Sequence, residues 1–286
     1  METLHRTMSL ANTLFLRTGQ TLGEGTYGNV MLVSHKGKDY AVKRQFTHDE
    51  AFFYAAVREE FCGGFDHPNL IHRFSSKWQN YCWCGVFEVG EPLAYDSSAQ
   101  RVLWDVLKGL AFLHARGIVH RDITPSNIVK VGDTFKIIDF GLARTLPYTT
   151  QCQTPDMVTM PWRPVELLTG GMTDVRCDIW SLGVVCLTLY RRKPVFFGTA
   201  EDMIAQYNNL TFDYHEQIYA RMVCDLQYRW TSFKLCSVLG LDHDLAVPHH
   251  KVPDLVRDIV KGFEVDFTKY NKSGVMAMYL PQTTVQ

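Results

Sequence analysis

Apolar and polar positions alternate through 29–34 (NVMLVS) and 39–44 (DYAVKR), the period-two signature of strands, and HKGK between them reads as a hairpin turn. A helical stretch follows at 49–62 (DEAFFYAAVREEFC), ended by Gly63 and Gly64, which continue a helix poorly. Two further strand-like runs come at 71–74 and 81–89, and the polar, turn-rich segment 90–98 (GEPLAYDSS) reads as a boundary. Beyond it the period changes. Val102, Leu103, Val106, Leu107, Leu110 and Leu113 recur at helical spacing up to Gly117. A short strand pair is expected within 126–139, turning at Gly132-Asp133, and a polar loop rich in Thr and Pro over 142–164. Helices are predicted over 177–190, 200–208, 214–226 and 230–239. After Pro253-Asp254, the residues Leu255, Val256, Ile259, Val260 and Phe263 predict one more amphipathic helix.

This pattern describes an α+β chain of 286 residues: a small β-rich lobe over 1–90, a larger helical lobe over 91–240, and a helical extension over 241–286 expected to dock on the helical lobe. The chemistry is expected near the seam. No apolar run is long enough to cross a bilayer, and the longest, WSLGVVCLTLY at 180–190, suits a buried helix.

Composition changes little in this picture. The chain is 46% hydrophobic and 21% charged, an ordinary globular balance, and a formal net charge of −1 supplies no basic field for nucleic acid or an anionic membrane. The opening METLHRTMSLANTLF is broken by charge and polarity and does not read as a secretory leader, so the eight cysteines are expected to be free thiols in a reducing compartment, cytoplasmic or nuclear. Cys82 and Cys84 form a close pair without a second pair at zinc spacing. Arg191-Arg192-Lys193 reads as a solvated turn rather than a targeting signal.

Chemistry enters with LGEGTYGNV at 22–30. A G-x-G-x-x-G run also serves dinucleotide sites, but those need a helix after the glycines and an acidic residue about 20 positions on. Here a hairpin follows, and Lys43 stands 20 residues after Gly23. The arrangement fits two strands closing over phosphates, with Gly23, Gly25 and Gly28 letting backbone amides approach. Period two puts Ala41 and Lys43 on one strand face, a small floor for a base beside an ammonium for phosphates. Glu59, sixteen residues on, could pair with Lys43; Glu60 is the neighbouring candidate. Asp122 and Asn127 in HRDITPSN, then Asp139 in IDFG, complete a set suited to phosphoryl transfer: one carboxylate for the attacking hydroxyl, an amide and a second carboxylate for magnesium.

With these fragments in order, the chain resembles the eukaryotic protein kinase family. The matching motifs are LGEGTYGNV, AVK, HRDITPSN, IDFGLAR, MPWRPVELL and CDIWSLGVV, with Arg229. The resemblance implies the two-lobed kinase fold, ATP and Mg²⁺ as cofactors, Asp122 as catalytic base, and Asn127 and Asp139 as metal ligands. It implies that Leu22 and the loop glycines cover the nucleotide, that Val30, Ala41 and Val129 sandwich the base, that Phe87 stands at the back of the pocket, and that Glu88 to Gly90 form the hinge. Asp178 would brace the catalytic loop, and Glu166 would pair with Arg229. The flavour is similar to cyclin-dependent kinases, which places an activating phosphate at Thr154, twelve residues before Glu166, with Arg121 as its receiver. Thr159 matches a threonine that serine/threonine kinases use beside the catalytic Asp, and points to hydroxyls of protein substrates.

Four positions depart from the family pattern. Thr124 replaces the catalytic-loop lysine and removes a cation near the transferring phosphate. Pro164-Val165-Glu166 stands for Ala-Pro-Glu. Gly63, one helical turn beyond Glu59, replaces an apolar packing residue, as Gly64 would for Glu60. Only 51 positions separate Asp178 from Arg229, so the helical lobe is trimmed. The glycines predict a mobile Glu59 helix, set in place by an activating partner protein. Such divergence would suit a viral kinase working in a host cell. The rival readings are a pseudokinase serving as a binding module and a small-molecule kinase.

Overall fold

The computed structural model describes residues 10–11, 13–15, 17–25, 28–47, 49–79, 81–145 and 159–242. The predicted helix after Pro253, nearly all of the 241–286 extension, and Thr154 lie outside the described residues.

Five antiparallel strands form the first sheet: β1 (Gln20–Gly25), β2 (Gly28–His35), β3 (Lys38–Phe46), β4 (Arg73–Gln79) and β5 (Cys82–Phe87), in spatial order β1-β2-β3-β5-β4. The β2–β3 hairpin closes through Lys36 and Gly37, at φ 52° and 73°, the left-handed pair that suits a two-residue turn. Helix α1 (Glu50–Cys62) crosses between β3 and β4; Asp49 caps it by accepting from Phe52 N at 3.0 Å. Gly63 and Gly64 lie past its last residue, and Gly63 N donates to Glu59 O at 2.9 Å. They end the helix and do not interrupt it, so the expected loss of helix propensity within α1 does not arise.

One predicted strand needs redrawing. The run placed at 71–74 begins at Arg73 and continues to Gln79, because Ile71 instead joins the second lobe: its amide donates to Ile137 O at 3.0 Å. Each face of the first sheet is covered. One faces α1 and the main core. The other is covered by the helical stretch near 10–15, where Ala11, Leu14 and Phe15 bury Met31, Val33, Val42, Cys84 and Val86. Cys82 and Cys84 point to this outer face, where burial pushes the Cys84 thiol up to about 11.

The strand β6 (Glu91–Pro92) leads into α2 (Ala99–Ala115), capped by Ser98 and stopped at Gly117 with φ 67°. The short strands β7 (Ile118–Val119), β8 (Ile128–Val131), β9 (Thr134–Ile137) and β10 (Arg144–Thr145) frame the seam, with sheets ordered β6-β8-β9 and β10-β7. Then come α3 (Val165–Leu168), α4 (Cys177–Arg191), α5 (Ala200–Asn208), α6 (Gln217–Ala220) and α7 (Ser232–Leu239). Helix α4 is buried on all sides from Cys177 to Leu189 and packs against α2, which in turn packs against α7. The helix expected over 214–226 is shorter: a single tight turn at Tyr214–Glu216, then α6. The chain leaves the helix there because Met222 and Val223 press against Gly183 of α4, where even a Cβ would lie 2.8 Å away. The predicted Glu166–Arg229 pair forms two hydrogen bonds of 2.8 Å.

Asp178 sits at the start of α4 with its carboxylate 1% exposed. It accepts the amides of His120 and Arg121, each at 2.8 Å, and lies 3.0 Å from His114 Nε2. Burial alone would raise its pKa, but the hydrogen bond and charge of His114, with His120, hold it below the ordinary carboxylate range. A carboxylate of depressed folded pKa stabilises the fold above its unfolded value, near pH 4, and that contribution is lost as pH falls through the folded value. Below about pH 4, wild type should therefore lose melting temperature more steeply than Asp178→Asn, which has no charge to lose. Parallel pH profiles of the two would contradict this.

Candidate active site

Between the lobes lies a cavity of about 530 Å³, a size that accommodates a nucleotide. Its roof is built from Leu22, Gly23, Gly25, Gly28 and Val30 on the β1–β2 hairpin. Ala41 and Lys43 come from β3, Phe87, Glu88 and Gly90 from the connection after β5, and Val129 from β8. Each of these was singled out in the sequence, and the fold brings them to one cleft. Gly90 must be small: a Cβ there would lie 2.6 Å from Val129 Cγ2. Phe87 is buried at the rear, and the Glu88 carboxylate is engaged by His72 N at 2.8 Å and Lys136 Nζ at 2.5 Å.

Lys43 Nζ lies 3.0 Å from Glu59 Oε2 and 3.0 Å from Asp139 Oδ1. Glu60 faces elsewhere, accepting from Trp83 Nε1 at 2.5 Å and Ser76 Oγ at 2.9 Å, so the partner of Lys43 is Glu59. Burial works against the Lys43 charge, but the Asp139 and Glu59 carboxylates outweigh it and raise its pKa above the usual lysine value. Asp139 is affected in turn: burial would raise it, yet the Lys43 ammonium and the Gly141 amide hold it below the ordinary range. Glu59 also accepts Phe140 N at 2.8 Å, which ties α1 to the segment after β9. The Lys43–Glu59 pair is formed within this chain.

The loop before β8 carries the second group. Asp122 Oδ2 accepts from Asn127 Nδ2 at 2.7 Å, and Asp122 Oδ1 accepts from Thr159 Oγ1 at 2.9 Å. Arg121 and Asp139 hold φ of 67° and 63°, left-handed conformations that are costly for such residues and persist only where the surroundings impose them. For Arg121 the imposing contact is Asp178; for Asp139 it is Lys43 and Gly141 N.

The donor set fits magnesium. The Asn127 amide nitrogen is spent on Asp122, leaving its carbonyl oxygen, and Asp139 Oδ2 has no partner among the described residues, with the side chain 42% exposed. Two hard oxygens bordering a cleft that also holds an ammonium are what a magnesium–phosphate group requires. Thr124 does not border the cavity: it is buried, with its hydroxyl 2.8 Å from Ser126 Oγ. Among the described residues lining the cleft, Lys43 is the one Lys or Arg. Arg121 donates from Nε to Leu142 O at 2.8 Å, and Thr154, its expected partner, lies outside the described residues.

The sequence reading passed over Gln45, Ile71, Pro92, Ser126 and Ile138, which also line the cleft. Two left a signal: Ile138 directly precedes Asp139, and Gln45 is one strand period past Lys43.

Comparison with known proteins agrees with this geometry. The model of the protein kinase domain matches residues 16–261. Over 208 residues the chain is 31% identical to the serine/threonine-protein kinase MAK of Mus musculus, covering 64% of this chain and 32% of that protein. It is 31% identical over 211 residues to the cyclin-dependent kinase 4 homolog of Caenorhabditis elegans, and 32% over 201 residues to cyclin-dependent kinase 2 of the same organism. These cover 64% and 63% of this chain and 51% and 55% of the two relatives, so the chain spans from a third to about half of the relatives it matches. A roof of glycines, an ammonium held by two carboxylates, and a braced Asp–Asn loop thus occur in a chain whose sequence matches one family along most of its length: it belongs to the protein kinase domain family.

Proposed function

We propose that the chain transfers the γ-phosphate of ATP to serine or threonine hydroxyls of protein substrates. The observation that carries this reading is Asp122, held between Thr159 Oγ1 and the Nδ2 of Asn127, which itself lines a cleft whose inner wall is Lys43, Glu59 and Asp139. Asp122 is positioned to accept the proton of an incoming hydroxyl while Lys43 neutralises phosphate charge. Asn127 Oδ1 and the Asp139 carboxylate would hold Mg²⁺, which when bound supplies further neutralisation of the phosphates. The two hydrogen bonds on Asp122 fix both carboxylate oxygens, so the base is oriented before a substrate arrives. With Thr124 in place of a lysine, Lys43 is the one Lys or Arg among the described residues lining the cleft, and the proposed transfer is correspondingly slow.

Protein substrates fit the Thr159–Asp122 contact, because the segment leading to α3 then lies beside the base. An activating partner at α1 and phosphorylation of Thr154 toward Arg121 belong to the same proposal. Purified chain, alone and with a lysate fraction, tests the first: a rise in rate on addition supports it, and full activity of the pure chain removes it. Thr154→Ala tests the second, with a fall in rate as the expected result.

The central test is transfer of labelled phosphate from ATP in the presence of Mg²⁺ to generic protein substrates. Asp122→Asn should reduce transfer by about 10²–10⁴-fold. Thr159→Ala should lower kcat by about tenfold with little change in KM for ATP, since it frees the base without touching the nucleotide cleft. Equal transfer by wild type and Asp122→Asn, or by neither, would overturn the reading in favour of a pseudokinase. Phosphoamino-acid analysis separates serine and threonine from tyrosine.

A further inference from the structure

Period two places Ala41, Lys43 and Gln45 on one face of β3, and all three border the cleft. Gln45 is 0% exposed, yet neither Nε2 nor Oε1 has a hydrogen-bond partner among the described residues. An amide taken out of water with its donors and acceptor unused is costly, and a methionine or leucine would fill similar space without that cost. The backbone does not demand glutamine either: Gln45 pairs regularly with Gly28 of β2 and Trp83 of β5.

What borders the amide indicates its use. A Cβ built on Gly141 would come 3.1 Å from Asp139 Oδ1 and 3.8 Å from Gln45 Nε2, so the amide and the Asp139 carboxylate flank one small space. Gly141 keeps that space open. The opposite end of the cleft, at Ala41, Val30 and Val129, is apolar and suited to a base. Polarity is therefore concentrated at the end that Lys43 and Asp139 mark for phosphate and metal.

We propose that Gln45 is a binding residue for the hydrated metal–polyphosphate end of a nucleotide. Phosphate oxygens only accept hydrogen bonds and metal-bound waters only donate them; a carboxamide offers one group of each kind, so Nε2 engages a phosphate oxygen and Oε1 a metal-bound water. This inference rests on the nucleotide-binding reading above and adds to it a second polar contact beside Lys43.

The test compares wild type with Gln45→Met and Gln45→Leu by isothermal titration calorimetry, using the magnesium complex of a non-hydrolysable ATP analogue and, separately, adenosine. Both variants should bind the magnesium complex about tenfold more weakly, as expected for loss of hydrogen bonds to charged partners, while adenosine affinity stays unchanged and certifies the fold. Their ligand-free melting temperatures should rise, because the unpaired amide is gone. Unchanged affinity for the magnesium complex in both variants would overturn the role of Gln45 alone. Failure of wild type to bind the complex at all would overturn the nucleotide reading and this inference together.

Discussion

The loop that carries Asp122 depends on one buried carboxylate. Asp178 sits on the most enclosed helix of the molecule and accepts two consecutive loop amides, His120 and Arg121. Arg121 can hold its left-handed backbone only because those bonds repay it, and that twist presents Asp122 to Asn127 and Thr159 on the far side. His114 steadies the carboxylate from α2, and Ser232 steadies His114 from α7, through contacts of 3.0 Å. Three helices of the large lobe thus converge on the placement of one carboxylate, Asp122. A change in any of them reaches the loop through hydrogen bonds of fixed direction.

Above the seam a different economy applies. Lys43 is held by two carboxylates that would repel each other without it, and Glu59 also grips Phe140 N. Removing the ammonium would leave the buried Glu59 facing Asp139 with no charge between them, so the roof, α1 and the segment after β9 are coupled through a single charge. The two glycines after α1 leave this coupling intact because they fall beyond the helix end.

The residues gathered at the candidate site were legible in the sequence because phosphoryl transfer, the proposed chemistry, fixes both residue type and order, and a glycine hairpin, a strand lysine and the Asp–Asn–Asp set leave few other arrangements. Glu59 and Glu60 could not be separated by spacing, since adjacent helix positions differ by a rotation of about 100°; the indole N–H of Trp83, which takes Glu60, decides between them. The helix expected over 214–226 was overcalled because its apolar spacing serves contact with Gly183 instead. Gln45 escaped notice because a buried glutamine in a strand looks like any polar position until its lack of partners is seen. The outer cover of the first sheet left a trace that the period-two reading of 29–34 passed over: Val30, Met31, Leu32 and Val33 form an unbroken apolar run, the pattern of a strand shielded on both sides.

That cover has a practical consequence. Leu14 and Phe15 precede the stretch matched by the family model, which begins at residue 16, yet they shield Met31, Val42 and Val86 from water, and Lys77 lies 5.2 Å over the Phe15 ring. A fragment cut at the motif boundary would keep every residue of the candidate site and still expose a continuous greasy face on its sheet. Such a fragment would be prone to self-association, and its poor solubility could be mistaken for a defect of the active site.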